Sequence, residues 1–354
     1  MSIRSHSRFC VAVIGLTLTI PLCAAPPAPK APAPKPKDNA IEQLVDRVRD
    51  VYLQNKDAVV RIIATDRYGK LSGTGFFTDP SGTIYTLAAI VDGATEVEVY
   101  HKDKVYPARI LVSDPRSGIA ILKVDATMTP FLPTKGASGL EVASPVLAIG
   151  YPMDLPSSPT FGIVAGFDRK YLTQYFNTTH IRANLPVQQG QGGSPVLNID
   201  GKVVGIVDSC INGGTGCYIL PIEAVEKVRG DFMRFGSIKH GWIGVHVEDA
   251  DASKGSTARI VDLDINSPAN GSGLQSGDIL LRIGNTKIAH AEDIVDASYF
   301  LTAGDVTPIV VVRDGKEYTM HVKPDVHPIT RQMAQSANIL NFFVKSAPSP
   351  EATK

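Results

Sequence analysis

From residue 58 to about residue 235 the chain is a succession of short β-prone runs separated by turns rich in Gly, Pro and Asp. Each run has the length of a single strand, and many such strands at regular spacing predict an all-β barrel or sandwich. A helix is predicted over 222–235, where this region ends. The most distinct β runs are 58–64, 75–77, 83–87, 96–100, 119–124, 145–149 and 203–207.

A second folded unit is predicted from about 241 to 324, because β runs and helical segments are mixed there. The chain of 354 residues is long enough for about two domains. The predicted strands of this unit are 243–247, 259–263, 278–283, 309–313 and 317–322, and its predicted helices are 268–274 and 291–301.

In front of the β region, residues 39–55 carry an apolar stripe at spacings of three and four, which predicts an amphipathic helix. Asn39 is placed as its N-cap, and Glu42 as the capping-box partner three residues later. Two roles stay open for this stripe: it packs against its own domain, or it helps subunits associate.

Residues 1–25 have the pattern of a secretory signal peptide. Arg4 and Arg8 precede an apolar stretch over 9–22, and small residues suited to cleavage follow at 23–25. An uncleaved anchor is the alternative, although the stretch is short for a membrane-spanning helix. The Pro-rich linker 26–38 predicts a polyproline II spacer.

At the other end, residues 326–354 form a predicted tail. A short docking helix is the interpretation of its apolar residues, and the final SAPSPEATK is predicted to be disordered. The apolar residues on which this rests include Ile339, Leu340, Phe342 and Phe343.

Composition argues against several functions. The chain has 35 basic and 35 acidic residues, so its zero formal net charge gives no reason to expect nucleic acid or anionic membranes as partners. No GxxxxGK[ST] or GxGxxG loop is present, and no cofactor is predicted.

After the signal region the only cysteines are Cys210 and Cys217, which have no nearby His partners and therefore predict no metal site. They flank a Gly-rich turn, so a disulfide across a hairpin is favoured in an oxidising compartment, with two free thiols as the alternative.

Six motifs occur in a fixed order within the β region. They are SGTGFF at 72–77, TLAAIVDGA at 86–94, DPRSGIAILK at 114–123, AIGYP at 148–152, GIV at 162–164 and GQGGSPVLNIDG at 190–201. In this order and at this spacing they resemble the serine proteases of the HtrA/DegP family. The resemblance implies a mainly β fold, a chymotrypsin/trypsin-like double β-barrel that together with the preceding helix covers 39–236.

The same motifs locate three positions that lack the family's catalytic side chains. The His position falls on Ala89, the Asp position on Gly118 and the Ser position on Gly192. A serine protease needs a hydroxyl nucleophile, an imidazole base and a carboxylate that orients the imidazole. The resemblance therefore implies a pseudoprotease rather than an enzyme. It also places the oxyanion-hole amides at Gly190 and Gly192, where a peptide carbonyl or carboxylate can be held without cleavage, unless the loop collapses.

A relocated triad is the competing interpretation of this region. Ser194 follows the nucleophile position by two residues, and His101 and His180 are the histidines of the protease-like unit. We interpret all three as surface or packing residues.

The second unit resembles an HtrA-type PDZ domain, with GWIGV at 241–245, INSPA at 265–269 and GLQSGDIL at 273–280. The resemblance implies an α+β domain over 237–325 in which a peptide adds as a strand and loop amides bind its C-terminal carboxylate. For Trp242 a place in the groove and a place in the core stay equally open, and internal docking is an alternative use of the domain. The predicted peptide-binding residues are Trp242, Ile243, Gly244, Val245, His246 and Val247.

These features predict a periplasmic or secreted protein, with attachment to the envelope left open. It binds protein C-termini or unfolded polypeptides as a scaffold, a chaperone-like binder or a regulator of an active HtrA-type protease. A homotrimer is implied by the family. The alternatives are an active endopeptidase of envelope quality control with non-standard catalytic residues, and a structural component of an envelope assembly.

Overall fold

A computed structural model describes residues 40–134, 139–171, 174–211, 213–253 and 255–326. The predicted signal peptide, the Pro-rich linker, the Asn39 cap and the apolar tail residues lie outside these ranges. The helices of the described residues are α1 (Ala40–Asn55), α2 (Ala88–Val91), α3 (Ile222–Phe235) and α4 (Asp293–Phe300).

Helix α1 confirms the helix predicted in front of the β region, and it packs along only part of its length. Val51, in its C-terminal half, is 2% exposed within the barrel core. Ile41 and Val45, in its N-terminal half, are 71% and 59% exposed. The apolar stripe therefore packs on its own domain at one end and is open to solvent at the other.

The first β region forms a closed six-stranded barrel around buried apolar side chains. Along the first strand Val60, Ile62 and Ala64 are fully buried, as a period of two requires. The strands are β1 (Val59–Asp66), β2 (Gly69–Phe77), β3 (Thr83–Leu87), β4 (Glu96–His101), β5 (Lys104–Asp114) and β6 (Ile119–Val124), arranged β1-β2-β3-β6-β5-β4.

The second barrel repeats this design after a connecting segment. Ala148, Val164, Ala183 and Val196, from four of its strands, form the centre of a separate apolar core. The strands are β7 (Pro145–Gly150), β8 (Ser158–Tyr171), β9 (Gln174–Ala183), β10 (Pro195–Asn198), β11 (Val203–Ile211) and β12 (Gly216–Pro221), arranged β10-β11-β12-β9-β8-β7. The predicted double barrel is confirmed.

The last unit is a smaller sheet with α4 against it, which confirms the predicted α+β domain. The order of its main strands is β14-β15-β16-β18-β19, β17 pairs with β16, and β13 pairs with β20. The strands are β13 (Gly241–Trp242), β14 (Val245–Ser253), β15 (Ser256–Leu263), β16 (Ile279–Ile283), β17 (Thr286–Lys287), β18 (Thr307–Arg313), β19 (Lys316–Val322) and β20 (Asp325–Val326).

Two local predictions in this unit were wrong. The segment predicted as a helix over 268–274 is a series of turns, in which Ser272 N–H bonds to Ala269 and Gly273 has a φ of +89°. A left-handed glycine stops helix propagation, and here it does so within one turn. The strand predicted over 243–247 is interrupted at Gly244, whose φ is +74°.

Helix α4 joins the last unit to the second barrel through a largely buried carboxylate. Asp296 accepts hydrogen bonds from the hydroxyl of Thr178 (2.8 Å), from the N–H of Thr179 (2.5 Å) and from Nε of Arg169 (3.3 Å). The same Arg169 pairs with Asp293 at 2.6 Å. The helix is therefore held against strands β8 and β9 by a charged network.

A second contact joins the last unit to the first barrel. Nε2 of His240 donates to Asp114 over 2.7 Å, and the Tyr299 hydroxyl donates to the carbonyl of Ala224. Burial raises the pKa of Asp114, but hydrogen bonds from His240 and Ser117 outweigh it and hold this pKa below its ordinary value. At pH values above the pKa that Asp114 has in the unfolded chain, its ionised carboxylate stabilises the junction. This contribution is lost as the pH falls through the lower pKa that Asp114 has in the folded protein.

Candidate functional site

The three positions assigned by resemblance to a catalytic triad meet in the cleft between the barrels. Ala88 N–H donates to the carbonyl of Gly118 (2.8 Å), so Ala89 and Gly118 are neighbours in the first barrel. Thr74 N–H donates to the carbonyl of Gly192 (2.9 Å), which ties the glycine-rich loop of the second barrel to the first.

A carboxylate that the sequence analysis did not single out lies beside one of these positions. A Cβ built on Gly118 would be 3.6 Å from Oδ1 of Asp208. Asp208 follows Val207, whose carbonyl accepts a hydrogen bond from Gly193 N–H (2.9 Å). Its side chain is 14% exposed and its other oxygen is 3.9 Å from Nε2 of His180, which is too long for a hydrogen bond. The available signal was a charged residue inside the apolar strand 203–211.

The glycine-rich loop keeps an ordered backbone around Gly190 and Gly192. The carbonyl just before Gly190 accepts from Met153 N–H (2.7 Å), and the carbonyl just before Gly192 accepts from Ser194 N–H (3.1 Å). In a trans peptide the N–H points opposite to the C=O of the same unit. The N–H groups of Gly190 and Gly192 therefore point away from Met153 and Ser194, respectively.

Two of the three side chains considered for a relocated triad have partners elsewhere in the structure. The Ser194 hydroxyl is buried and has no hydrogen-bond partner in the described part of the chain. His101 lies against Phe77, with ring centroids 5.2 Å apart, and bonds to the carbonyl of Asp57. His180 stacks on Phe176 at 4.2 Å. The structure does not bring these three into one catalytic group.

Cys210 and Cys217 are directly opposite each other on β11 and β12. Both are free thiols here, so the favoured disulfide is not present. Burial raises the pKa of both thiols, most strongly for Cys217, and this keeps them protonated and slow to exchange.

Because Cys210 and Cys217 face each other on neighbouring strands, we predict that they form a disulfide when the protein is oxidised. We expect protein oxidised with a glutathione redox pair to lose two hydrogens in intact mass. The Cβ atoms of a facing cross-strand pair are roughly 4.5–5.5 Å apart, which reaches the upper end of the roughly 3.5–4.5 Å that a disulfide spans. The Cys210→Ser variant is the control and should keep its mass. An unchanged mass of the oxidised wild type would leave the pair as two thiols.

The loop between β13 and β14 presents amides to a groove. The carbonyl of Ile243 accepts from Ala269 N–H (2.9 Å), and the carbonyl of Gly244 accepts from Asp264 N–H (3.0 Å). In one peptide unit the N–H and the C=O point in opposite directions. The N–H groups of Gly244 and Val245 therefore point away from Ala269 and Asp264. Adjacent amides aimed at one point form an anion-binding concavity, suited to a carboxylate.

A groove of about 60 Å³ runs from this loop along α4. Trp242 is half-buried and lines this groove. Of the two places left open for Trp242, the structure therefore shows the groove. Val247 packs on the core, whereas His246 is 56% exposed and pairs with Asp264 at 3.0 Å. The residues that line the groove are Trp242, Ile243, Gly244, Val245, Ile283, Ile294, Ser298 and Leu301.

The fold and these two sites define a trypsin-like peptidase domain followed by a PDZ domain. Residues 73–206 match the family model of the trypsin-like peptidase domain, and residues 241–323 match that of the PDZ domain. No helix among the described residues has both the length and the apolar character needed to cross a membrane.

Relatives and solved structures point the same way. A probable periplasmic serine endoprotease DegP-like of Marinomonas sp. (strain MWYL1) is 29% identical over 80% of this chain and 64% of its own length. A protein of the same name from Halomonas elongata is 29% identical over 71% of this chain and 55% of its own. The chain thus spans less than two thirds of the length of these relatives.

Among solved structures, the HtrA-type protease AlgW with tripeptide matches with a TM-score of 0.69 and 20% identity, over 80% of this chain and 98% of that one. The serine endoprotease from Yersinia pestis matches with a TM-score of 0.60 and 22% identity, over 79% and 98%. At these identities the likeness shows the fold. With the matched domains and relatives, it makes the chain a member of the HtrA family with a C-terminal PDZ domain.

Proposed function

We propose that this protein binds the C-termini of other polypeptides through its PDZ groove and does not cleave them. The observation that carries the proposal is the paired orientation of the Gly244 and Val245 amides, fixed by hydrogen bonds to the carbonyls behind them. A peptide added beside β14 forms main-chain hydrogen bonds with it, and the peptide's terminal carboxylate accepts hydrogen bonds from these two amides. Neither interaction requires a nucleophile.

The absence of cleavage follows from the residues at the three triad positions. Ala89 has no group that accepts a proton, and Gly192 has no side chain to attack a carbonyl. Loss of either the nucleophile or the base removes on the order of 10⁶ in turnover. The amides of Gly190 and Gly192 are left as a cradle that holds a peptide carbonyl in the cleft.

Location and partners follow from the family. The relatives are named as periplasmic proteases, which together with the signal-like residues 1–25 supports a periplasmic location. The exposed half of α1, with Ile41 and Val45, supports association of copies of the chain, or of the chain with an active relative. In either assembly the protein acts as a scaffold or regulator that brings bound polypeptides to its partners.

Peptide binding is tested by the variant Gly244→Ala. A Cβ at this position would lie 2.2 Å from Cβ of Ser267 and 2.9 Å from Cζ2 of Trp242, and φ is left-handed, so the loop must move. We expect the affinity for a fluorescein-labelled peptide with a free carboxylate to fall at least about tenfold, since one charge-assisted hydrogen bond is worth about 1.5–3 kcal/mol. Fluorescence polarisation measures the change.

Two controls belong to this experiment. Gly277→Ala introduces the same kind of strain at a φ of +93°, but its Cβ meets no atom within 4 Å, so binding should be kept. The same peptide with a C-terminal amide should bind weakly to the wild type. Equal binding of acid and amide would contradict the proposed function.

A further inference from the structure

A cavity of about 350 Å³ lies between the second barrel and the PDZ domain. Strands β8 and β9 line it from the side of the barrel, and α4 and β17 line it from the side of the PDZ domain. Its volume is within the range of roughly 300–1,000 Å³ that ligand sites occupy. It shares no residue with the glycine-rich loop or with the carboxylate loop, so it is separate from both sites described above.

Apolar side chains from both domains line this cavity. Phe167 on β8 and Phe300 at the end of α4 are 43% and 40% exposed, although they line the same space. A single exposed apolar residue needs no explanation, whereas several that share one concave surface mark an interaction site. The apolar lining consists of Leu140, Phe167, Ile181, Val204, Pro221 and Phe300.

The charged residues of the lining are acidic. Glu223, in the first turn of α3, is exposed, and Asp296 is already paired with Arg169. No Lys or Arg is among the described residues that line the cavity. An occupant that is both apolar and basic is therefore complementary to this surface.

The chain itself contains a segment of this character. Residues 339–344 read ILNFFV, and Lys345 follows directly. The charged residues over 327–350 are Arg331 and Lys345, with no Asp or Glu. This segment therefore has the apolar and basic character that the cavity requires of its occupant.

The last described residue, Val326, is close to the cavity. Val326 is opposite Gly241 in the pair of β13 and β20, and Gly241 N–H donates to the carbonyl of Leu301 (2.9 Å). Leu301 directly follows Phe300, so these steps place Val326 within about 15 Å of the Phe300 backbone. The residues from Val326 to Ile339 can span up to about 43 Å. The segment can therefore reach the cavity of its own chain, and its covalent attachment favours this over a second chain.

We propose that residues 339–344 of this chain dock in the cavity between the second barrel and the PDZ domain. Phe342 and Phe343 pack against the aromatic rings of Phe167 and Phe300, because aromatic pairs contribute beyond the area they bury. The docked segment contacts both domains at once and so holds the PDZ domain against the barrel. This inference does not depend on the peptide binding proposed above.

The test uses the full chain with p-benzoylphenylalanine, a photo-crosslinking amino acid, in place of Phe343. Ultraviolet light joins this group to a residue in contact with it, and mass spectrometry of the tryptic peptides identifies that residue. We expect attachment to Phe167 or Phe300 within one chain. The yield should not change when the protein is diluted about a hundredfold, because docking is intramolecular. The same group in place of Tyr68, which is 81% exposed in the first barrel, should give no attachment there.

Two variants on strand β8 connect the crosslink to the cavity. Phe167→Ser removes one aromatic ring of the lining and should lower the yield of attachment to Phe300 at least about fivefold, since burial of one such ring strengthens an apolar contact about tenfold or more. Phe161→Ser is the matched control, because Phe161 is 42% exposed on the same strand and is outside the lining. It should keep the yield, and equal losses in both variants would overturn the inference.

The crosslink map itself needs neither variant, so it decides the question even if one of them fails to fold. Attachment to Ile294 or Ser298 would place the segment in the peptide groove instead. Attachment between two chains that disappears on dilution would assign the cavity to a second copy, and attachment scattered over the surface would mean that the segment has no site. Each of these results overturns the inference, whereas the comparison of acid and amide peptides tests the proposed function separately.

Discussion

Protease activity should appear when only two residues, Ala89→His and Gly192→Ser, are changed together. The first change supplies the base and the second the nucleophile, and the loss of either removes about 10⁶ in turnover. The acid is already beside its position, since Oδ1 of Asp208 is 3.6 Å from a Cβ built on Gly118. We expect casein cleavage at least about 10³-fold above that of the wild-type protein, which should be at background.

The decisive control adds Asp208→Asn to this double variant. If Asp208 orients the new imidazole, the control should fall back to the wild-type background, because converting the acid of a triad to an amide costs about 10⁴ in turnover. If it loses nothing, another group orients the base. Cleavage by the wild-type protein at high concentration would contradict the pseudoprotease proposal directly.

Restoring all three family side chains should work less well than restoring two. An aspartate at 118 must adopt the left-handed φ of +77° found there, and its carboxylate would share the site with Asp208. Two carboxylates at close range cannot both stay ionised without cost, and one pKa rises strongly. The triple variant should therefore gain activity only when Asp208→Asn is included.

The parts of the fold that local sequence patterns determine were predictable. Strand β3 (Thr83–Leu87) and helix α3 (Ile222–Phe235) have the predicted bounds because their apolar periods are short-range signals read within one element. The turns at 268–274 were predicted as a helix although the segment contains Gly271 and Gly273. One left-handed residue, Gly273, is enough to end a helix of that length.

Parts of the sites depend on contacts between distant segments and were not predictable. Asp208 is 90 residues from Gly118 in sequence, and only the closure of both barrels brings them together. The motifs located the carboxylate loop of the PDZ domain, yet the direction of its amides depends on the hydrogen bonds to Asp264 and Ala269. Motif matching thus found where the sites are, and tertiary structure decided which groups face them.

The variant Asp296→Ala should release the PDZ domain from the second barrel. Its carboxylate, whose side chain is 17% exposed, accepts hydrogen bonds from Thr178, Thr179 and Arg169. Its removal takes this partner from the buried Thr178 hydroxyl and from the Thr179 amide, whereas Arg169 keeps Asp293. Breaking a buried charged network costs about 3 kcal/mol or more. That cost raises the population of the undocked state by about a hundredfold.

Tryptic cleavage after Lys239 measures this population, because the carbonyl of Lys239 is hydrogen-bonded to Ala303 and its N–H to Asp231 while the domains are docked. When docking is fast relative to cleavage, the cleavage rate follows the open fraction and should rise about a hundredfold.

Asp305→Ala is the matched control. It removes an ion pair with Arg234 across the same junction, but the side chains of Asp305 and Arg234 are 39% and 60% exposed. An exposed pair contributes under about 1 kcal/mol, so cleavage should rise less than about fivefold. Equal acceleration in both variants would mean that the buried network around Asp296 is not what holds α4 against β8 and β9.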